Sequence, residues 1–350
     1  MKSAILDQLM SLVNQGIIPG GSYAIIDRNQ GIDIETFGFF QLKPTPVANR
    51  TDVIYDVASL TKTVSTTTLI MMLVEKKMIQ LDTPIYSFLP FKMDPSISFF
   101  DCLTHSSGLA ADLPKAFTLQ NKEDVIKRII EQKPIYSKGT HIVYSDIGFI
   151  LLGLAIETLL NMPLDEAADQ WIFKPLGMND TGYHPETSRT APTEFRNDPV
   201  FQGVLQGRVH DEKAFAMGGV AGHAGVFSTA HDLAVFAKHL LDGTFPLHSE
   251  SLDMLFSTAL ERPDLKGTML KRGIGWDKPT GRSSAGQFAD PEATILHTGF
   301  TGCNMFIDRK HGLGFVLLTN DVHPSRDQKG VMEIRHELAN IVYRERRNIR

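Results

Sequence analysis

Strand-like runs stand at both ends of this 350-residue chain, helix-like runs fill the stretch between them, and that order leaves few folds open. Near the start, Gly21 to Asp27 and Ile32 to Phe40 read as two strands joined by the polar turn Arg28 to Gly31, a hairpin. Helical patterns dominate from Leu60 to about Gly182. They include Lys122 to Glu131, Asp146 to Leu160 and Leu164 to Ile172, punctuated by Pro90, Pro95, Pro134, Pro163 and Pro175. Strand signals return near Val220 to Ser228, Gly273 to Asp277, Thr294 to Leu296, Cys303 to Asp308 and Gly314 to Leu318. An amphipathic helix over Met1 to Gln15 and a helix over Val331 to Arg346 stand at the two ends. Thr229 and Asp232 predict a capping box that opens a helix over Leu233 to Leu241. The pattern predicts an α+β fold: one antiparallel sheet built from both chain ends, flanked by helices and carrying a mainly helical insertion.

Three short segments carry chemistry: Ser59-Leu60-Thr61-Lys62, Tyr144-Ser145-Asp146 and His297-Thr298-Gly299. A Ser followed three residues later by Lys arises by chance roughly once in a chain of this length. Context gives it meaning. Leu60 to Lys76 reads as a long apolar helix, so Ser59 stands at a helix N-terminus with Lys62 one turn later on the same face. Amide N–H groups of a first helical turn favour a serine alkoxide or the oxyanion it creates. The plain alternative is a capping serine and a solvated lysine. Val64, Leu69, Ile70, Met71, Met72, Leu73 and Val74 leave that helix little exposed face, with Met71 and Met72 as core filler, and a buried lysine needs a reason.

The chain resembles the penicillin-recognising serine hydrolases, close to class C β-lactamases, low-molecular-weight DD-peptidases, D-aminopeptidases and family VIII carboxylesterases. Further stretches carry the resemblance in order: Leu103-Thr104-His105-Ser106-Ser107-Gly108-Leu109, Pro175-Leu176-Gly177-Met178, Gly218-Gly219-Val220-Ala221-Gly222-His223-Ala224-Gly225, His297-Thr298-Gly299-Phe300-Thr301-Gly302 and Leu317-Leu318-Thr319-Asn320. It implies a β-lactamase/transpeptidase-like architecture in two lobes. Residues 1–60 and 215–350 would form the sheet lobe and residues 61–214 the helical lobe, with the site in the cleft between them. Gly182 to Lys213, rich in Pro, Thr, Asn and Arg, is expected as a long loop walling that cleft. The resemblance also implies Ser59 as nucleophile, the backbone N–H groups of Ser59 and Phe300 as oxyanion donors, and a substrate-binding strand edge at His297, Thr298 and Gly299.

Tyr144 alone would pass for a core tyrosine; beside Lys62 it becomes a general base. Two unit charges ~4 Å apart at an effective dielectric of ~20 interact by about 4 kcal/mol, enough for a lysinium to draw a phenol from ~10 toward ~7. Burial of the lysine would instead leave it neutral and the phenol protonated. The sequence leaves both assignments open. Many relatives carry Lys at the position of His297 and Asn at that of Asp146. A histidine of ordinary pKa is only about a quarter charged at pH 7, so carboxylate clamping should weaken. An ionised Asp146 accepts hydrogen bonds only and would hold Lys62 charged. His223 and the pair His210-Asp211 are further candidates to line the cleft, against the simpler reading of structural histidines.

Composition excludes other classes. The net charge of −5, with scattered Lys and Arg, argues against a nucleic-acid surface, and the basic run Arg344 to Arg350 reads as a solvated helix end. Two distant cysteines and twelve histidines in no ligand-like spacing predict neither a metal nor a cofactor. No apolar run approaches the ~20 residues that span a bilayer, and the start does not read as a signal peptide, so a cytoplasmic protein is expected. No Gly-X-Ser-X-Gly elbow, phosphate loop or dinucleotide fingerprint occurs. The sequence therefore predicts a serine hydrolase working through an acyl-enzyme on an amide or ester, with a D-amino-acid or muropeptide substrate expected and no protein partner evident. The competing readings are a promiscuous carboxylesterase or weak β-lactamase and, from another class, a non-catalytic binding or sensor protein of the same fold.

Overall fold

The computed structural model describes residues 4–327 and 330–347, and its centre is the strand Gly20–Asp27, buried along its whole length. This strand pairs antiparallel with Gly31–Gln41 on one side and with Leu313–Thr319 on the other, so that Tyr23 lies opposite both Glu35 and Leu317. The sheet then extends through Asn304–Asp308 to Thr294–Thr298 at one edge and to Val47–Ala48 at the other, six strands in all. Both chain ends build it, as the pattern requires.

Side chains alternate across a strand, and here both faces are covered, so the inner strands read as unbroken apolar runs. Tyr23, Ile25, Phe306, Phe315 and Leu317 pack against the terminal helices Ala4–Asn14 and Val331–Arg347 through Ile5, Leu9, Leu338, Val342 and Tyr343. Ala24, Ile26, Met305, Val316 and Leu318 face the helix Ala230–Asp242 and the larger core beyond it. Met1 to Ser3 and Asn348 to Arg350, the outer parts of the two expected terminal segments, lie outside the described residues.

Several expectations need correction. Leu60 to Lys76 is not one α-helix but a 3₁₀ turn Ala58–Leu60, a π-helical stretch Lys62–Thr67 and an α-helix Thr68–Glu75. Threonine hydroxyls compete for backbone carbonyls there: Thr63 Oγ1 donates to Leu60 O at 2.9 Å and Thr68 Oγ1 to Thr63 O at 3.0 Å. Leu164 to Ile172 likewise divides into Leu164–Ala168 and a π-helical turn Asp169–Phe173. Of Val220 to Ser228, only Phe227–Ser228 is a strand. Its glycine-rich part packs on the helix Asp146–Leu160 so closely that a Cβ on Gly222 would lie 2.1 Å from Phe149 O.

Gly273 to Asp277 is a turn at Gly275, whose φ is +71°, and the extended segment lies just before it, Met269–Arg272 paired with Leu260–Pro263. Within Gly182 to Lys213 a short hairpin forms between Phe195–Asn197 and Gln202–Val204. Thr229 caps its helix, accepting from Asp232 N at 3.2 Å, but the Asp232 carboxylate turns to Asp180 N and Thr181 instead of closing the box. Among the described residues no single helix is long and apolar enough to cross a membrane.

Candidate active site

The short strand Tyr55–Asp56 pairs with Phe227–Ser228 and delivers the chain into the turn that carries Ser59. Asp56 shapes this turn: its carboxylate accepts from Ala58 N at 2.9 Å and from His210 N at 2.7 Å. Ala58 is held at φ +48°, a left-handed conformation that disfavours a residue with a Cβ and is stored here next to the serine. The sheet edge presses on the same turn. Thr301 Oγ1 donates to Asp56 O at 2.7 Å, and a Cβ on Gly299 would stand 2.6 Å from Val57 O, so only glycine lets the His297-Thr298-Gly299 edge come this near.

Lys62 is wholly buried, and its Nζ donates to Ser59 Oγ at 3.0 Å and to His223 O at 3.1 Å while lying 2.7 Å from Asp146 Oδ1. Burial works to strip its proton, but the charge of Asp146 and the contact with Tyr144 outweigh that, and the ammonium is held above its ordinary range. Burial likewise pushes the Asp146 carboxyl up, yet Lys62, His223 and Lys213 keep it below the usual carboxylate range. This selects the charged lysine from the two states open in the sequence.

Tyr144 precedes the helix Asp146–Leu160, and the ammonium of Lys62 stands 4.8 Å from its ring centre. The Leu103 to Leu109 segment and the residues after it hold this corner: Ser145 N donates to His105 Nδ1 at 3.0 Å, and Asp146 N donates to Ala111 O at 2.9 Å. Ser145 Oγ donates to Ala110 O at 2.6 Å and caps the helix by accepting from Gly148 N at 3.3 Å.

His297 corrects an expectation. It is 1% exposed, its Nδ1 donates to Thr298 O at 2.9 Å, and burial, with Lys62 and Arg272 nearby, draws its pKa down to about 3. It is a neutral imidazole, not a partly charged one. Its ring centre is 5.9 Å from that of Tyr144, and its Nε2 has no hydrogen-bond partner among the described residues.

Ser59, Tyr144, Asp146, His297, Thr298, Gly299 and Phe300 all line one cleft of about 480 Å³, and Lys62 lies directly beneath it. His223 corrects a second expectation: it does not line the cleft but is buried behind it, its Nε2 2.7 Å from Asp211 Oδ1, and only its neighbour Ala224 reaches the cleft surface. His210 reaches the cleft wall, stacking on the Phe300 ring at 5.6 Å. Of the expected wall Gly182 to Lys213 only His210, Asp211, Glu212 and Lys213 line the cleft, and its most telling members were missed. Lys213 is 2% exposed and touches Asp112, Asp146 and Asp211, and Arg272 and Arg335 also line the cleft. The available signal was the dense run His210-Asp211-Glu212-Lys213, where Asp211 caps the helix Glu212–Ala216 and thereby turns Lys213 inward.

Asp146, Asp211 and His223 approach one another closely enough to suggest a cation site. The chemistry does not fit. Their oxygens are already taken by two ammonium groups, Lys62 and Lys213, which would repel a metal ion.

Comparison with known proteins bears on the family and the fold. N-acetylmuramyl-L-alanine amidase of Bacillus subtilis (strain 168) is 30% identical over 357 residues, taking in 91% of this chain and 80% of that protein. A putative D-alanyl-D-alanine carboxypeptidase of Escherichia coli (strain K12) is 28% identical over 366 residues, 91% of this chain and 82% of the relative. The solved octameric penicillin-binding protein homologue from Pyrococcus abyssi superposes with a TM-score of 0.75 at 21% identity, covering 98% of this chain and 80% of that one, a likeness of fold. A family model described as Beta-lactamase matches residues 4–339, nearly the whole chain, and the chain belongs to that family.

Proposed function

We propose that this β-lactamase-fold hydrolase works through an acyl-enzyme on Ser59 and cleaves an amide or ester of a D-amino-acid or muropeptide type. The observation that carries the reading is the Lys62 ammonium, fully buried and hydrogen-bonded to Ser59 Oγ at 3.0 Å. A serine hydroxyl is a weak nucleophile, and a cation placed against its oxygen stabilises the alkoxide that attacks.

Because Asp146 keeps Lys62 protonated, the lysine is not the group that takes the serine proton. That role falls to the oxygen of Tyr144, whose ring centre lies 4.8 Å from the same ammonium. Ser59 Oγ bonds to the substrate carbonyl carbon, and Tyr144 accepts the proton. The N–H groups of Ser59 and Phe300 hold the oxyanion. The intermediate then collapses as Tyr144 returns the proton to the departing amine or alcohol. Water attacks the acyl group in the same manner, Tyr144 taking its proton and passing it to Ser59 as the acid leaves.

The names of the two relatives, a muramyl-alanine amidase and a putative D-Ala-D-Ala carboxypeptidase, favour cell-wall amides. His297 is neutral and offers no charge to a substrate carboxylate, which leaves Arg335, donating to Gly299 O at 3.0 Å, as the cation at the strand edge; a simple ester is the second reading, and the missing strand-edge lysine predicts weak turnover of penicillins.

A fluorophosphonate probe followed by intact-mass measurement tests the core of the reading. One adduct should form on the wild type and none on Ser59→Ala, whose turnover should fall by about four or more powers of ten. An adduct on Ser59→Ala would overturn it. Parallel assays on muramyl-L-alanine, D-aminoacyl amides, nitrophenyl esters and nitrocefin then rank substrates, with nitrocefin expected last.

A further inference from the structure

Lys213 has no part in the chemistry above, yet its Nζ is buried among three carboxylates: Asp112 Oδ1 at 2.8 Å, Asp211 Oδ2 at 3.0 Å and Asp146 Oδ2 at 3.3 Å. Asp211 turns its other oxygen to His223 Nε2 at 2.7 Å, and the carbonyl of His223 accepts from Lys62 at 3.1 Å. Lys62 in turn meets the other oxygen of Asp146 at 2.7 Å. These contacts close a ring through four separate stretches of chain, and Asp146 gives one oxygen to each lysine.

We propose that Lys213, braced by Asp211, is a positioning residue for acylation: it anchors one oxygen of Asp146 so that the other fixes the Lys62 ammonium against Ser59. This rests on the reading of Ser59 as nucleophile. The groups facing Asp146 are Lys62, Lys213, His223 and Asp211, with Asp112 behind Lys213; on the other side of Lys62 stand Tyr144, Arg272, His297 and His105. Without Lys213, the carboxylates of Asp112, Asp146 and Asp211 share a pocket with Lys62 as the remaining ammonium. Their mutual repulsion would turn Asp146 away from Lys62 or protonate it at a higher pH.

The rate at which a fluorophosphonate adds to Ser59, followed by intact mass across a pH series, tests this without knowledge of the substrate. Lys213→Met should label about tenfold or more slowly at neutral pH, with the acid limb of its rate profile moved up by about one pH unit. Lys213→Arg, which keeps the charge, should recover most of the rate and the wild-type limb. A Lys213→Met protein with wild-type rate and limb overturns the proposal, as does an Arg variant no better than the Met variant. If Lys213→Met does not fold, Asp211→Asn/Lys213→Met takes its place: slower labelling supports the proposal and a wild-type profile overturns it. A wild type that takes no label overturns the nucleophile reading itself, an outcome distinct from these.

Discussion

Burial penalises charge in two neighbouring regions of this molecule, and the two respond in opposite ways. Around Lys62, Asp146, Lys213 and Asp211, ammonium and carboxylate groups lie 2.7 to 3.3 Å apart. There burial is the largest influence on each group, yet the partners outweigh it: both lysines are held above their ordinary range and both carboxylates below theirs. A few ångströms away His105 and His297 are as deeply buried, but among the described residues their rings hydrogen-bond to the backbone alone, the amide of Ser145 and the carbonyl of Thr298. Burial dominates, Lys62 and Arg272 repel a further charge, and both imidazoles are kept neutral. Depth alone does not decide the charge state; an opposite charge within contact distance does.

The strongest way to break this comparison is to remove the carboxylate from the charged region. Asp146→Asn leaves Lys62 buried without an ionic partner, so the lysine should lose its proton far more readily and its hold on the Ser59 alkoxide should weaken. Turnover should fall by about two to three powers of ten, and urea unfolding should show a loss of about 3 kcal/mol, the usual penalty for an orphaned buried charge. A variant that keeps turnover within about twofold would show that the ammonium form of Lys62 is not required.

Legibility in the sequence follows the same division. The sheet from two chain ends was readable because strands buried on both faces carry long β-branched and aromatic runs, as in Tyr23-Ala24-Ile25-Ile26 and Phe315-Val316-Leu317-Leu318. The convergence of Ser59, Tyr144 and His297 was readable through motifs in a familiar order, not through any local rule. The π-helical form of Lys62–Thr67 was hidden because it depends on hydroxyl bonds, one of them from Thr66 Oγ1 to Gly222 O at 2.7 Å, more than a hundred residues along the chain. Lys213 was hidden for the same reason. Its burial is a property of Asp112, Asp146 and Asp211 together, and no spacing along the chain announces three such neighbours.

The neutral region is sharpened by pH. His297 has a folded pKa of about 3 against ~6.5 when unfolded, so between those values the unfolded chain binds the proton that the native state refuses. Stability from this site is therefore complete above about pH 6.5 and is lost as pH falls toward 3, at up to about 1.4 kcal/mol per unit. His297→Gln should lose about 2 kcal/mol less than the wild type between pH 6.5 and 5, read from denaturant midpoints. Equal slopes in the two proteins would mean that His297 carries a charge in the folded state.

The smallest expected effect comes from a third buried lysine that tests the same rule outside the cleft charges. Lys278 is 2% exposed and donates to the carbonyls of Phe256 and Glu292, with no carboxylate of the described residues in contact. Burial lowers it to about 8, and the more distant Glu292 and Asp290 charges do not make up the difference. Its sign is thus opposite to that of Lys62 and Lys213. In the window from about 8 to 10.5 the unfolded chain holds a proton that the folded state has released, so this site adds stability as pH rises. Lys278→Met should abolish that alkaline gain, about 1 kcal/mol between pH 8 and 10 after allowance for solvent screening, while turnover at neutral pH stays within about twofold. If the wild type shows no such gain over the variant, carbonyl dipoles alone suffice to keep a buried ammonium charged, and carboxylate contact is not what separates the two regions of the cleft.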